Sequence, residues 1–146
     1  MTIYDNTPDM VRRDILNLFL GEYLGEGVGR RVYRYAPDDR YVVKLEYARQ
    51  SFQNVLEWST WCEVKETRWA KWFAPCFMIS ECGMVMLQER TEPVPQAVDL
   101  DHIPNFLTDT KRENWGMLEG RPVVHDYGYH DLTEMGLNHA RLKKRR

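Results

Sequence analysis

The sequence predicts an α+β protein, with a five-stranded antiparallel sheet that carries one long helix and a much reduced second part. Short apolar runs rich in β-branched residues, separated by turns with glycine or proline, predict the strands. The stretch from Ser51 to Trp72 has no proline or glycine and shows apolar residues at helical spacing, which predicts the helix. A proline-bearing connector over residues 89–95 then leaves the sheet. We therefore expect residues 1–90 and 91–146 to form two parts of one compact domain.

Composition places the chain among globular proteins and excludes several classes of function. Of its 146 residues 29% are charged, and the net charge at pH 7 is −2, which gives no general attraction to nucleic acid or to an anionic membrane. No apolar run is long enough to span a membrane, and the start lacks the pattern of a signal peptide. The three cysteines lack CxxC spacing, which favours reduced thiols over a zinc site. We expect a cytoplasmic protein with no membrane partner, and only the basic tail over residues 141–146 favours nucleic acid.

A short amphipathic helix over residues 9–20 and a glycine-rich hairpin open the chain. Between Tyr23 and Tyr35, three glycines stand at alternate positions, at Gly25, Gly27 and Gly29. Flanking apolar and aromatic residues predict a strand, a turn and a strand. Glycines let a ligand approach the backbone closely, and the free N–H groups of such a turn can hold phosphates. An ordinary loop is the alternative interpretation.

The next strand, over residues 41–47, carries Lys44 in an apolar run. If the strand is central, Lys44 is buried and needs an anionic partner, because an unpaired buried charge is costly. The alternative is an edge strand with Lys44 in water. Among the glutamates of the long helix, Glu57 is the preferred partner, since Asn54 and Glu57 lie one turn apart beside the apolar stripe. Glu63 is the second choice.

The rest of the chain predicts short elements only. Two strands over residues 77–81 and 84–88 complete the sheet, and residues 103–107 have room for one or two helical turns. Residues 115–125 predict a hairpin, and a single helix is expected within residues 132–142.

Two short motifs near the end of the chain carry the chemistry. Asp109, Lys111 and Asn114 place a base, a cation and a metal ligand on one loop, and Asp126 follows an apolar pair and precedes a tyrosine and a glycine. Carboxylate and amide oxygens together with a lysine are what Mg²⁺-bound phosphate chemistry requires. Each stretch alone is also compatible with an ordinary turn.

The order of these parts resembles a protein kinase reduced almost to its catalytic elements. Gly25, Gly27 and Val32 resemble the glycine-rich loop that covers the phosphates of ATP. Lys44 is similar to the phosphate-binding lysine, and Glu57 stands where its helix partner would be. The resemblance implies a protein kinase-like fold.

The later motifs extend the resemblance over about residues 22–130. Gln88 and Glu89 resemble the strand that runs into an adenine-binding hinge, residues 109–114 resemble the catalytic loop of serine/threonine kinases, and residues 126–128 resemble the metal-binding motif that follows it. The resemblance implies ATP and Mg²⁺ as cofactors. The roles it implies are catalysis by Asp109, Lys111 and Lys44, metal binding by Asn114 and Asp126, and cofactor binding by Gly25, Gly27, Gly29, Val32, Lys44, Glu57, Gln88 and Glu89.

The sequence also departs from the kinase pattern. The third glycine stands at Gly29, and the position where the pattern has it is Arg30. Leu107 and Thr108 replace the His-Arg pair that precedes the catalytic aspartate. The stretch after Gly128 is too short for an activation segment and for the helices that bind a peptide substrate. The resemblance therefore covers the ATP site and leaves the acceptor site open.

Two functions follow as hypotheses. The first is transfer of the γ-phosphate of ATP to a serine or threonine of a protein, with the chain itself included among the acceptors. The second is a pseudokinase that binds nucleotide or a partner protein, for example a viral protein that acts on a host factor in the host cytoplasm. The presence of Asp109, Lys111, Asn114 and Asp126 together favours transfer, and the missing helices favour binding. A small-molecule phosphotransferase is disfavoured because its acceptor pocket needs a larger second part. The flank left by the missing helices is a candidate homodimer surface.

Overall fold

The first half of the protein contains a five-stranded antiparallel sheet, as predicted. The computed structural model describes residues 7–47 and 51–145. The strands lie in the order β1-β2-β3-β5-β4, and every neighbouring pair is antiparallel. Their bounds are Leu20–Gly27 for β1, Arg30–Tyr35 for β2, Tyr41–Glu46 for β3, Cys76–Ile79 for β4 and Val85–Glu89 for β5.

Strand β3 lies in the middle of this sheet, which decides the environment of Lys44. In the register of the ladders Lys44 stands opposite Val32 of β2 and Met86 of β5. Val43 before it is buried, Leu45 after it is half-buried, and Lys44 itself is 4% exposed. The edge-strand alternative is therefore wrong, and the lysine needs a partner inside the protein.

The first helix, α1 (Asp9–Phe19), confirms the predicted amphipathic segment, but none of its side chains is buried. It joins the sheet at its end, where the Ala36 amide donates to the Phe19 carbonyl and the rings of Phe19 and Tyr35 stack at 6.3 Å. No helix in residues 7–47 and 51–145 is long and apolar enough to cross a membrane.

The second helix, α2 (Gln53–Val64), is shorter than the sequence predicts. Thr67 ends it, because its amide and its hydroxyl both donate to the Val64 carbonyl, at 2.8 and 2.7 Å. Side chains that bond the local backbone in this way compete with helix continuation. The remaining helical residues form a separate 3₁₀ turn, Ala70–Trp72.

The described part of the second half contains two small sheets, one short α-helix and two 3₁₀ turns, Arg112–Asn114 and Leu137–His139. Strand β6 (His102–Pro104) pairs with β9 (Leu142–Lys144), and β7 (Trp115–Leu118) forms a hairpin with β8 (Arg121–Val124). The hairpin confirms the prediction. The helical turns predicted at residues 103–107 are wrong, because the backbone there pairs with the end of the chain. The predicted last helix is reduced to α3 (Leu132–Met135), which stops at Gly136 with φ of 74°.

Both halves contribute to one hydrophobic core. The Ala74 amide donates to the Val124 carbonyl at 2.9 Å, and the ring of Phe73 packs edge-on against Tyr127 and stacks on Phe106. The buried residues of this core include Val64, Trp69, Phe73 and Met86 from the first half and Ile103, Phe106, Trp115 and Tyr127 from the second. The sheet and the predicted catalytic segments are thus tied together by packing.

Candidate functional site

A buried ion pair between the sheet and the second helix lies at the centre of the candidate site. Lys44 Nζ on β3 lies 2.9 Å from Glu57 Oε2 on α2, and Glu57 is 0% exposed. The predicted choice of Glu57 is therefore confirmed for this pair, and Glu63 is an exposed residue of the same helix. The central strand and the second helix bring together two groups that are 13 residues apart in the sequence.

Arg30 joins this pair to Asp126. Its Nη2 lies 2.8 Å from Glu57 Oε1 and 3.0 Å from Asp126 Oδ1. Its Nη1 donates to Asn54 Oδ1 at 3.1 Å, and Asn54 Nδ2 donates to the Lys44 carbonyl at 3.0 Å. Arg30 is 4% exposed, whereas the side chain of Asp126 is 48% exposed. We call Arg30, Lys44, Glu57 and Asp126 the charge cluster.

The charges of the cluster hold Glu57 in its ionised form. Burial acts to raise the pKa of Glu57, but Lys44 and Arg30 outweigh it, and the pKa falls to about 2. Burial also lowers the pKa of Lys44, against the attraction of Glu57 and with the help of the neighbouring Arg30. The charged form of Glu57 is therefore favoured, whereas the charged form of Lys44 is disfavoured, because two cations share one fully buried carboxylate. The formal charges of the two cations and the two carboxylates in the cluster sum to zero.

The segment from His125 to Tyr127 docks on both members of the ion pair. Lys44 Nζ donates to the His125 carbonyl, and the Tyr127 amide donates to Glu57 Oε1 at 3.0 Å. The Tyr127 hydroxyl donates to the Ala74 carbonyl at 2.8 Å in the core. Asp126, which follows the hairpin, is therefore held next to the ion pair by backbone contacts of the residues on both sides of it.

The His125 ring fixes the same segment from the outside. Its Nε2 lies 2.8 Å from the Glu113 carbonyl and its Nδ1 lies 2.8 Å from the Thr91 hydroxyl. Because a carbonyl only accepts, Nε2 carries the proton and Nδ1 accepts from Thr91. Burial, reinforced by Lys44, lowers the pKa of His125. A Cβ at Gly116 would lie 2.0 Å from the Thr91 hydroxyl, so glycine is required for this packing.

The predicted catalytic loop lies on the open side of the site. The Asn114 carbonyl accepts from the amides of His125 and Asp126, at 2.8 and 3.4 Å, so the loop is attached to the charge cluster. Asn114 Nδ2 donates to the Asp109 carbonyl at 3.1 Å, which leaves the amide oxygen as a hard ligand. Asp109 Oδ2 and Lys111 Nζ lie 3.8 Å apart, and both side chains are exposed.

The glycine hairpin borders the cluster through Arg30. Gly25 pairs with Val32 and Gly27 with Arg30 across β1 and β2, and Gly29 makes the turn with φ of 82°. A Cβ at Gly25 or Gly27 would meet no atom within 4 Å. The space above these two strand positions is thus open.

Gln88 and Glu89 are not part of the cluster. Gln88 is buried, and its Nε2 lies 3.9 Å from Cys76 Sγ in the core. The Glu89 amide donates to the Pro75 carbonyl at 2.9 Å, and the next amide, of Arg90, donates to the Arg40 carbonyl at 2.8 Å. Both amides are used within the protein, so this stretch does not offer them to a ligand.

The predicted metal ligands fit a Mg²⁺ ion that is held mainly by its substrate. Such ions use one or two carboxylates and fill their coordination shell with water and phosphate oxygens. Asp126 and the Asn114 amide oxygen supply hard donors, although Arg30 already takes one oxygen of Asp126. Within the described residues no group of three or more His, Cys, Asp or Glu side chains could hold a metal, and Cys62, Cys76 and Cys82 are free thiols.

Sequence reasoning missed the part that Arg30, Asn54 and Glu46 play. Arg30 was visible only as the residue that replaces a glycine, and Asn54 only as a neighbour of Glu57. Glu46 Oε1 accepts from the amides of Gln53 and Asn54, at 2.6 and 3.3 Å, and so caps α2 from the adjacent strand. Its alternation with Lys44 on β3 puts both on one face of the sheet, which is the signal that could have identified it.

No protein-family model, no curated protein and no solved structure matches the chain. The geometry of its own residues is therefore the basis for inferring its function.

Proposed function

We propose that the protein is a Mg²⁺- and ATP-dependent phosphotransferase of the protein-kinase type, with a kinase-like fold, that transfers the γ-phosphate to a serine or threonine of a protein. The observation that carries this proposal is the buried Lys44–Glu57 pair, joined to Asp126 through Arg30 and through the backbone of residues 125–127. A buried lysine costs desolvation energy, and Lys44 and the half-exposed Asp126 are the kinds of group that phosphoryl transfer uses as a cation and a metal ligand.

In this proposal each side chain has one task. When bound, ATP supplies the phosphoryl group and Mg²⁺ neutralises charge on the phosphate oxygens. Lys44, held by Glu57, would contact the α- and β-phosphates, and Asp126 and Asn114 would hold the ion. Positioning and charge stabilisation provide most of the catalysis in this chemistry, so a small protein suffices.

The exposed loop acts on the acceptor. Asp109 accepts the proton of the acceptor hydroxyl, and Lys111 steadies the γ-phosphate. The two groups are 3.8 Å apart and exposed, which suits residues that meet a second substrate. The glycine hairpin at Gly25 and Gly27 is open above the backbone, which suits a loop that covers phosphates.

Arg30 contacts one oxygen of Asp126, the proposed metal ligand. The guanidinium lies 3.0 Å from Asp126 Oδ1, and Oδ2, which is outside this ion pair, would be the oxygen offered to Mg²⁺. Its second bond, to Glu57, and its bond to Asn54 do not involve Asp126. Arg30 is therefore held beside Lys44 by contacts that do not depend on Asp126.

Incubation with γ-labelled ATP, Mg²⁺ and candidate acceptor proteins tests the proposal. Label on the chain or on an acceptor should disappear in Lys44→Met, Asp126→Asn and Asp109→Asn. The matched controls are the exposed Lys71→Met and Asp39→Asn, which should keep wild-type transfer. Label that persists in Lys44→Met, or no label with any acceptor, contradicts the proposed transfer.

The second candidate is a nucleotide- or partner-binding protein without transfer. The bridge that Arg30 makes between Glu57 and Asp126 favours it, because the cluster is charge-balanced without any ligand. Thermal stabilisation by ATP and Mg²⁺ with no transfer of label, lost in Lys44→Met, would support this candidate over the first.

A further inference from the structure

A cleft with basic walls opens beside the loop that carries Asp109. Its volume is about 760 Å³. It is lined by Ile103, Thr108, Thr110, Lys143, Lys144 and Arg145. Thr108 and Thr110 are the immediate chain neighbours of Asp109, so the cleft borders the predicted catalytic loop.

The basic wall is a built part of the fold. Strand β9 pairs with β6 so that Lys143 stands opposite Ile103. Lys143 Nζ donates to the Leu107 carbonyl at 3.1 Å, and the Arg145 amide donates to the Asp101 carbonyl at 2.5 Å. The basic segment is thus fixed against the strand that leads into the catalytic loop.

Within residues 7–47 and 51–145, no carboxylate neutralises the cations of the cleft. In the described residues, none of the three cations, Lys143, Lys144 and Arg145, forms an ion pair with a carboxylate. The nearest acidic groups along the chain are Asp101, which accepts through its backbone carbonyl, and Asp109, which pairs with Lys111. The Thr110 hydroxyl adds a donor to the wall, whereas the Thr108 hydroxyl donates to the Tyr129 carbonyl at 3.5 Å. The cleft therefore offers positive charge and hydrogen-bond donors to an anionic ligand.

We propose that this cleft binds an acidic segment of a protein, and that this segment lies next to the hydroxyl that accepts the phosphate. The acceptor role rests on the proposed transfer, whereas the binding of acidic peptide does not. An extended peptide suits the cleft better than nucleic acid does, because none of the six lining residues is aromatic and base stacking has no platform there. In this arrangement Lys143, Lys144 and Arg145 bind the acidic segment, which is a role that the sequence alone did not predict.

Fluorescence anisotropy with labelled peptides tests the binding directly. One peptide carries a central serine flanked by glutamates, and two matched peptides carry glutamines or lysines in their place. The full-length chain should bind the glutamate peptide at least about tenfold more tightly than the glutamine peptide at low salt, and should lose this preference at high salt.

A double charge reversal, Lys144→Glu with Arg145→Glu, removes the basic wall but keeps Lys143 and its bond to Leu107. We expect this variant to bind the glutamate peptide at least about tenfold more weakly. The control is Lys65→Glu with Lys71→Glu, which makes the same change of net charge at exposed positions elsewhere. Thermal unfolding of both variants checks that each is folded.

The outcomes separate the cleft from the proposed activity. Equal binding of glutamate and glutamine peptides, an equal loss in the control, or tighter binding of a twelve-nucleotide single-stranded RNA would overturn the cleft proposal. Charge-selective binding without transfer of label supports the cleft and contradicts the proposed transferase. Transfer of label to all peptides, regardless of their charge, supports the transferase and overturns the cleft.

Discussion

The charge cluster and the catalytic loop carry similar residues in opposite environments. In the cluster, Lys44 and Glu57 are buried, and every charged group has a bonded partner. In the loop, Asp109 and Lys111 are exposed and their oxygen and nitrogen are 3.8 Å apart. An exposed pair of this kind contributes little to stability, whereas the loss of one member of a buried pair is costly. The cluster should therefore be needed for both the fold and the function, and the loop for the function alone.

The largest effect on stability is expected from Glu57→Gln. The change leaves Lys44 and Arg30 buried without a carboxylate between them, and we expect the free energy of unfolding to fall by about 3 kcal/mol or more. Urea unfolding measures it. The control Glu63→Gln, on the exposed side of α2, should change it by less than about 0.5 kcal/mol. Similar losses for both variants would contradict the central place of Glu57.

A smaller loss is expected from Gly116→Ala, which acts on the cluster from outside. The added Cβ would meet the Thr91 hydroxyl at 2.0 Å and His125 Nδ1 at 2.9 Å. Overpacking of this kind costs about 1–3 kcal/mol. The matched variant Gly25→Ala has open space and should leave stability nearly unchanged, yet it should weaken ATP binding. If Gly116→Ala is neutral in urea unfolding, the His125 contact does not constrain the segment.

The pH dependence of the stability should separate the contribution of His125 from that of Glu57. Because burial lowers the pKa of His125 in the folded state, its contribution to stability is complete above the ordinary value of 6.5 and is lost as the pH falls below it. The contribution of Glu57 is lost only at lower pH, from about 4.5 towards about 2. Between pH 7.5 and 5.5, unfolding midpoints should therefore fall for the wild type and fall less for His125→Gln.

The control for this titration is His102→Gln, which changes an exposed residue of β6. It should keep the wild-type slope. Part of the slope should persist in His125→Gln, because burial also lowers the pKa of His130. A slope that is the same in His125→Gln and wild type would show that protonation of His125 does not oppose folding.

The smallest effect on stability is expected from Asp109→Asn. The side chain is exposed, so the free energy of unfolding should change by less than about 0.5 kcal/mol. Transfer of label should nevertheless fall by about 100-fold or more, because the base is lost. A large loss of stability would place Asp109 with the structural residues.

Local patterns in the sequence predicted the sheet and the Lys44–Glu57 pair, because strand runs, glycine turns and a lysine in an apolar strand are all short-range signals. The division at about residue 90 stays a prediction, and the shared core links its two sides. The end of α2 and the strand β6 were missed for a physical reason. The first depends on the side-chain bonds of Thr67, and the second on pairing with residues about 40 positions away.

The sequence predicted the lysine and the aspartate of the candidate site, but not the arginine that connects them. Asp126 and Lys44 were expected to lie together, and Arg30 links them through Glu57. An arginine beside a glycine turn gives no local sign that its guanidinium is buried. Its carboxylate partner, Asp126, lies 96 positions further along the chain. Gln88 and Glu89 were predicted from motif order alone, and their side-chain and backbone bonds lie elsewhere.

Isothermal titration of the protein with ATP in the presence of Mg²⁺ measures whether the charge cluster forms a nucleotide site. We expect saturable binding that weakens at least about tenfold in Lys44→Met and in Asp126→Asn, and that is unchanged in Lys71→Met. Absence of binding, or equal affinity in Lys44→Met and wild type, would contradict a nucleotide site at the charge cluster.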